Sequence, residues 1–231
     1  MINGRSVLAV IAARGGSKGL PRKNVLDVAG RPMIAWSVEA ARNSTLIDRA
    51  IVSTDDEEIA TAARAAGGEV PFLRPPALAT DTISVYDALF HASDTIGGHW
   101  DYLVLLQATS PLRTAADIDG CIRACSDAQA PAALSVTQSP KPPEWMVRLD
   151  GDGRMQPLLA PDDRNRRQDF VPTYIPNGAV YVAELEWLRR TRIFMSAETR
   201  AFVMPPERSV DVDTMLDLVA ARHLAGAGEN K

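Results

Sequence analysis

Twelve residues, Ala13-Arg14-Gly15-Gly16-Ser17-Lys18-Gly19-Leu20-Pro21-Arg22-Lys23-Asn24, gather Arg14, Lys18, Arg22 and Lys23 into one glycine-rich loop. Glycines let backbone N–H groups turn toward an anion with no Cβ in the way, and clustered cations supply the opposite charge. The pattern reads as a phosphate cradle, with a solvated basic turn as the plain alternative. It holds no Gly-Lys-Ser/Thr of a Walker loop and no Gly-x-Gly-x-x-Gly fingerprint, so other residues must define the nucleotide site. Ser209-Val210-Asp211-Val212-Asp213 reads as an extended strand that puts Asp211 and Asp213 on one side. Two carboxylates suit Mg²⁺, which completes its shell with water and phosphate. Asp213 also stands where a cap of the following helix belongs.

Two further stretches carry polar groups. Gln107-Ala108-Thr109-Ser110-Pro111-Leu112-Arg113 offers amide, hydroxyl and guanidinium groups, and is otherwise an ordinary strand-to-helix loop. Arg74, in Leu73-Arg74-Pro75-Pro76, follows another strand-like run, while Thr80, Asp81 and Thr82 read as the start of the next helix.

The elements that must position these groups alternate. Strand-like runs fall at 7–12, 50–53, 69–73, 102–106 and 132–136, and amphipathic helices at 33–42, 54–66, 84–95 and 115–127. Short continuous apolar strands separated by such helices imply a mostly parallel sheet covered on both faces, with ligands at the carboxyl ends of strands. The texture changes near Ser139. Residues 146–149 and 155–159 flank Asp150-Gly151-Asp152-Gly153 as a hairpin, followed by the basic stretch 164–167. Strands at 179–182 and 201–204 return to the sheet, and a last helix runs from near Asp213 to about Ala225. The expected organisation is an α/β core over 1–138 and 171–231 with an inserted lid or dimer-contact lobe at 139–170.

The chain has 231 residues and a net charge of −4, which fits one large α/β domain and argues against a general nucleic-acid binder. Cys121 and Cys125 read as reduced core residues. No stretch approaches the roughly 20 apolar residues of a membrane span, so a soluble, cytoplasmic protein is expected.

Ile11-Ala12-Ala13-Arg14-Gly15-Gly16-Ser17-Lys18-Gly19 with Lys23-Asn24 resembles the signature of the acylneuraminate cytidylyltransferases, the CMP-sialic acid synthetases, which have Pro at the place of Ala12. Ser53-Thr54-Asp55, Arg74-Pro75, Leu106 to Arg113, Asn177-Gly178-Ala179-Val180-Tyr181 and Val210-Asp211-Val212-Asp213 recur in the family's order, over roughly residues 5 to 220. The resemblance implies a Rossmann-like nucleotidyltransferase. Arg14, Lys18, Lys23 and Asn24 would hold CTP phosphates. Ala12, Ala13, Arg74 and Ser84 would lie along base and ribose, and Gln107 and Thr109 would bridge nucleotide and sugar. Arg167 would meet the sugar carboxylate, with Lys141, Asn177 and Tyr181 around the sugar, and Asp211 and Asp213 would hold Mg²⁺. Arg22 draws no role.

The implied reaction is CTP plus a nonulosonic acid, giving CMP-sugar and pyrophosphate. The catalytic set would be Lys18, Lys23, Gln107 and Asp213. For the base, a metal-bound hydroxide and a hydroxyl positioned by Gln107 are both open. The Asn177 motif resembles enzymes for sialic and legionaminic acids. Cytidylyltransferases for pseudaminate, KDN or 3-deoxy-octulosonate, or an idle nucleotide-binding module of the same fold, are the alternatives. Family members are commonly homodimers, and Arg164–Arg167, Trp145 and Phe170 fit a lobe reaching over a partner's site.

Overall fold

Val7-Leu8-Ala9-Val10-Ile11-Ala12 is apolar throughout, and it forms β1 (Val7–Ala12), buried along nearly its whole length. The computed structural model describes residues 1–16, 19–80, 82–160 and 166–228. After β1 come the short hairpin strands β2 (Asp27–Val28) and β3 (Arg31–Pro32), then α1 (Met33–Arg42), β4 (Arg49–Ser53), α2 (Glu57–Ala65), α3 (Val85–Ile96) and β5 (Tyr102–Gln107). They are followed by α4 (Ala115–Asp127), β6 (Ala132–Gln138), a second hairpin of β7 (Val147–Leu149) and β8 (Met155–Pro157), β9 (Tyr174–Glu184), α5 (Leu185–Thr191), β10 (Arg200–Val203) and α6 (Met215–Gly228).

Six strands form the central sheet in the order β10-β6-β9-β5-β1-β4. β1 is parallel to β4 and β5, and β10 is parallel to β6. β9 runs antiparallel to both of its neighbours, β5 and β6. The sheet is therefore mostly parallel, with one reversed strand inside it.

Alternation along β1 divides the core. Val7, Ala9 and Ile11 pack with Val38 of α1, Ile59 of α2 and Ile118 of α4. Leu8 and Val10 face the other side, against Leu89 of α3 and Leu188 of α5. Helices thus cover both faces of the sheet, as the continuous apolar strands require. Cys121 and Cys125 are buried in α4 as free thiols. A smaller cluster joins Leu218 and Ala221 of α6 to Val28, Met33 and Val212. No helix among the described residues is long and apolar enough to cross a membrane.

Side-chain caps set the helix starts. Asp56 accepts from the backbone of Glu58 and Ile59 at the head of α2. Thr114 and Asp117 form a reciprocal capping box on α4. Ser84 caps α3, so the helix begins beyond Thr80 and Thr82, and Asp81 lies outside the described residues.

Two expected strands are absent as ladders. Residues 69–73 touch β4 only through isolated bridges at Glu69 and Leu73. Residues 209–213 join no sheet; Val212 N–H donates to the Thr109 carbonyl at 2.8 Å, which pins the segment to the loop after β5. Asp213 does not cap α6 either. The Thr214 hydroxyl accepts from the Asp217 amide at 3.3 Å while the Asp217 carboxylate accepts from the Thr214 amide at 2.8 Å. That leaves the Asp213 side chain available for other partners.

Between β6 and β9 the chain makes an excursion carrying the β7–β8 hairpin. It departs and returns at one place, where Gln138 pairs with Tyr174 and Ser139 N–H donates to Thr173 O at 2.8 Å.

Candidate active site

β1 and β5 lie side by side, and their last residues, Ala12 and Gln107, are register partners. Both line a cavity of about 550 Å³ at the carboxyl ends of the strands. The order of crossovers reverses here, since β4 joins one side of β1 and β5 the other, the place where open α/β sheets bind ligands.

One wall comes from the glycine-rich loop. Arg14, Lys23 and Asn24 line the cavity. Arg14 Nη1 donates to the Thr80 carbonyl at 3.3 Å. Asn24 Nδ2 donates to the Arg14 carbonyl at 2.9 Å, bracing the loop against itself. Gly15 N–H donates to the Asp55 carboxylate at 3.0 Å, so the anion it faces belongs to the protein. A Cβ on Gly19 would stand 2.6 Å from the Asp213 carbonyl oxygen, so the loop packs directly on the acidic segment. Lys18 lies outside the described residues. Ala13 is buried beneath the wall rather than lining it. Arg22 is exposed and pairs with Glu58, away from the cavity.

A second wall holds Arg74 and Ser84. Arg74 is only 6% exposed, with Nε donating to the Ser53 hydroxyl at 3.1 Å and Nη2 to the Ser53 carbonyl. Burial pushes its pKa down, Asp55 opposes that, and Arg14 adds to it. Leu78, Ala79, Thr80, Ile83, Val85 and Ala88 complete this side; the sequence reads Thr80 as a helix start and singles out none of Leu78, Ile83, Val85 or Ala88. Their position directly after Arg74-Pro75-Pro76, through to the Ser84 cap, was the available signal.

The third wall is acidic and polar. Gln107 and Thr109 face Asp211 and Asp213. Burial pushes the Asp211 pKa up; the Thr109 hydroxyl opposes that by hydrogen bonding, Asp213 raises it further and Lys23 lowers it. Asp211 Oδ1 is buried without a hydrogen-bond partner among the described residues. Asp213 is exposed, and its Oδ1 accepts from Lys23 Nζ at 2.6 Å. The cavity therefore sets cations against carboxylates, an arrangement able to hold a polyphosphate together with a divalent cation.

Asp211 and Asp213 fit Mg²⁺ by this test: an orphaned buried carboxylate oxygen beside a second, exposed carboxylate, with room for phosphate and water. No group of three or more His, Cys, Asp or Glu that could hold a metal occurs among the described residues. Mg²⁺ in phosphate sites needs only one or two carboxylates.

Of the residues expected around a sugar, Gln107 lines this cavity, while Lys141, Arg167, Asn177 and Tyr181 do not. Asn177 is a buried bracket with every side-chain hydrogen-bonding atom engaged. Its Oδ1 accepts from Ser135 Oγ at 2.6 Å and Ala179 N at 3.2 Å, while Nδ2 donates to Ser209 Oγ at 2.9 Å and meets Met204 Sδ at 3.3 Å. It holds the Asp211 segment to the sheet and has no free polar atom for a ligand. Tyr181 lies on β9 with its ring 5.3 Å from that of Phe194, and burial pushes its phenol pKa up, with Asp211 adding to the rise. Arg167 lines a separate cavity of about 450 Å³ with Gln138, Ser139 and Phe170. Lys141 stands with its Nζ 5.9 Å from the Trp145 ring centre. Arg164 lies outside the described residues.

A family model described as "Cytidylyltransferase" matches residues 8–151. The N-acylneuraminate cytidylyltransferase of Streptococcus agalactiae serotype V is 36% identical over 92% of this chain and 51% of its own length. The chain thus spans about half the length of that relative. The pseudaminic acid cytidylyltransferase of Campylobacter jejuni is 32% identical over 94% of this chain and 95% of that protein. The CMP-N,N'-diacetyllegionaminic acid synthase of Legionella pneumophila is 33% identical over 91% and 92%. Among solved structures, a CMP:2-keto-3-deoxy-manno-octonic acid synthetase complexed with CTP superposes with a TM-score of 0.71 at 22% identity, covering 96% of this chain and 99% of that one. A 4-diphosphocytidyl-2C-methyl-D-erythritol synthase from Anaerococcus prevotii does so at 0.67 and 14%, covering 97% and 100%. These two share the fold.

Proposed function

The chain belongs to the cytidylyltransferase family, and from that premise we propose that it transfers the cytidylyl group of CTP to the anomeric hydroxyl of a nine-carbon α-keto acid sugar. The observation that carries this reading is the single cavity wall-to-wall arrangement of Arg14, Lys23, Arg74, Gln107, Asp211 and Asp213 at the carboxyl ends of β1 and β5.

In this reading the sugar hydroxyl attacks the α-phosphorus, the bond to the β-phosphate oxygen breaks, and pyrophosphate leaves. Charge accumulates on phosphoryl oxygens, so positioning and charge stabilisation do most of the work. Arg14 engages phosphate through two donors of its planar head, while Lys23 and Lys18 act as point charges on the departing pyrophosphate. Arg74 and Ser84, with the Ala12 backbone, form the nucleoside end. Gln107 orients the attacking hydroxyl. Asp211 and Asp213 would hold Mg²⁺, which when bound neutralises charge on the α-phosphate.

The sugar would be of sialic or legionaminic type, the type named for relatives that are 36% and 33% identical to this chain. Its carboxylate would meet Arg167 of the lobe, whose own cavity is separate from this one, where the lobe of a second copy reaches over the site. A second copy of the chain would cover the lobe, where Trp145, Leu149, Met155 and Leu159 are exposed. Large apolar side chains exposed in one segment are what an interface can cover.

Pyrophosphate release from CTP, measured with a panel of nonulosonic acids and with and without Mg²⁺, tests the reading. Turnover with one acid and none without metal is expected. CTP binding with no release for any acid would turn the reading toward an idle nucleotide-binding module. Gel filtration giving a monomer at working concentration would remove the second copy.

A further inference from the structure

Arg113 closes the loop after β5, is 3% exposed, and enters no step of the proposed reaction. A cation this deep usually pairs with a carboxylate in contact. Here Nη1 instead donates to three backbone carbonyls: Gln107 at 2.7 Å, Ser110 at 3.0 Å and Ala179 at 3.2 Å. Its Nε and Nη2 are buried with no hydrogen-bond partner among the described residues.

We propose that Arg113 is a positioning residue: its guanidinium ties the Gln107 loop to the Gly178–Ala179 stretch of β9, and so sets where the Gln107 amide and the Asp211 carboxylate stand relative to each other. The inference rests on the cytidylyltransfer reading of the site. The three carbonyls belong to the two segments that meet at the reacting end of the cavity. Gly178 lies between the two side chains in question, because a Cβ built on it would be 2.9 Å from Asp211 Oδ2 and 3.1 Å from Gln107 Oε1. The same loop holds the acidic segment through the Thr109 carbonyl, 2.8 Å from Val212 N. One guanidinium therefore fixes three backbone points around the Gln107–Asp211 pair. Burial lowers the Arg113 pKa, to about 9, against the favourable charges of Asp211 and Asp117, and it remains a cation at neutral pH.

Arg113→Met removes every donor, whereas Arg113→Lys keeps one nitrogen with three. Both are compared with wild type in pyrophosphate-release kinetics, with near-ultraviolet circular dichroism as the check on fold. For R113M the expectation is a kcat lower by about 100-fold with the KM for CTP within about threefold, the scale of a misplacement near 1 Å. R113K should recover about tenfold of that loss. A folded R113M that turns over like wild type overturns the inference. So does an R113K as poor as R113M, or a rise in KM for CTP with kcat intact. If R113M does not fold, R113K decides: a kcat down by about tenfold or more at unchanged KM supports the clamp, and wild-type kinetics refute it. If wild type releases no pyrophosphate with any acid, the functional reading fails by itself. Hydrogen exchange then tests Arg113 separately. Protection of the Val212 amide should fall by about tenfold in R113K with α1 and α2 unchanged, and unchanged protection overturns the inference.

Discussion

Lys23 Nζ lies 2.6 Å from Asp213 Oδ1 and 3.2 Å from the Val212 carbonyl, so the loop cation and the outer carboxylate are partners before any ligand arrives. In the proposed reading a triphosphate with its cation would exchange that pair for two new ones: phosphate on Lys23 and metal on Asp213.

Lys23→Met separates the two roles. Turnover should fall by about 10²–10³-fold, the scale for a lost donor to a developing oxyanion. In the nucleotide-free protein Mn²⁺ should bind about two- to fivefold tighter, because Asp213 loses a competitor that, at the surface, holds it by about 0.2–1 kcal/mol. Manganese titration followed by electron paramagnetic resonance measures this. Weaker binding would mean that Asp213 is not the metal's carboxylate.

Gly178 takes φ +76°, a conformation that costs an L-residue about 1–2 kcal/mol. Gly178→Ala also puts a methyl in contact with both Asp211 Oδ2 and Gln107 Oε1, at 2.9 and 3.1 Å. We expect a loss of about 1–2 kcal/mol in urea denaturation and of about 100-fold in kcat. A variant with the stability loss but normal turnover would show that the contact tolerates displacement.

Asn177→Ala distinguishes a bracket from a sugar ligand. With the side chain gone, Ser135 and Ser209 lose a buried partner, worth about 1–3 kcal/mol for each group left unsatisfied. The melting temperature and kcat should both fall, with the KM values for CTP and sugar moving together. A selective rise in sugar KM at unchanged melting temperature would restore Asn177 to the sugar.

Asp117 is 2% exposed in its side chain and takes two hydrogen bonds from Arg208, both at 2.8 Å. Burial raises its pKa, but Arg208 and Thr114 outweigh that and the net shift is downward. A depressed folded pKa adds stability that is present above the unfolded value, near ~3.9, and is lost as pH falls through the folded one. Asp117→Asn should therefore cost about 2–4 kcal/mol at pH 7. The gap to wild type should begin to close near pH ~3.9 and vanish below the folded pKa. Urea titrations at stepped pH read this; a gap independent of pH would assign the loss to the capping box alone.

These contacts mark the boundary of what the sequence could disclose. That Arg14, Lys23, Arg74 and Gln107 line one cavity was legible because the signals are local: the loop cations follow β1 within a dozen residues, Gln107 ends β5, and Arg74 follows a strand-like run. α4 matched its expected range residue for residue because Thr114 and Asp117 cap it from within. The bracing contacts of Asn177 were not legible, because its partners Ser135 and Ser209 are each more than 30 positions away. The strand expected at 69–73 had the right composition, but the chain there runs past the edge of β4 and bridges it at two points only. Asp213 looked like a cap because a helix follows it; Thr214 and Asp217 satisfy that end by themselves.

The excursion between Gln138 and Tyr174 leaves and rejoins the sheet through a single pair of neighbouring strands. It hangs like a jaw from that pair, while the glycine-rich loop follows β1, two strands beyond β9 in the sheet. Replacing residues 139–173 by a short turn should leave the six-stranded sheet standing, and transplanting another jaw should exchange the acceptor while leaving the donor nucleotide the same.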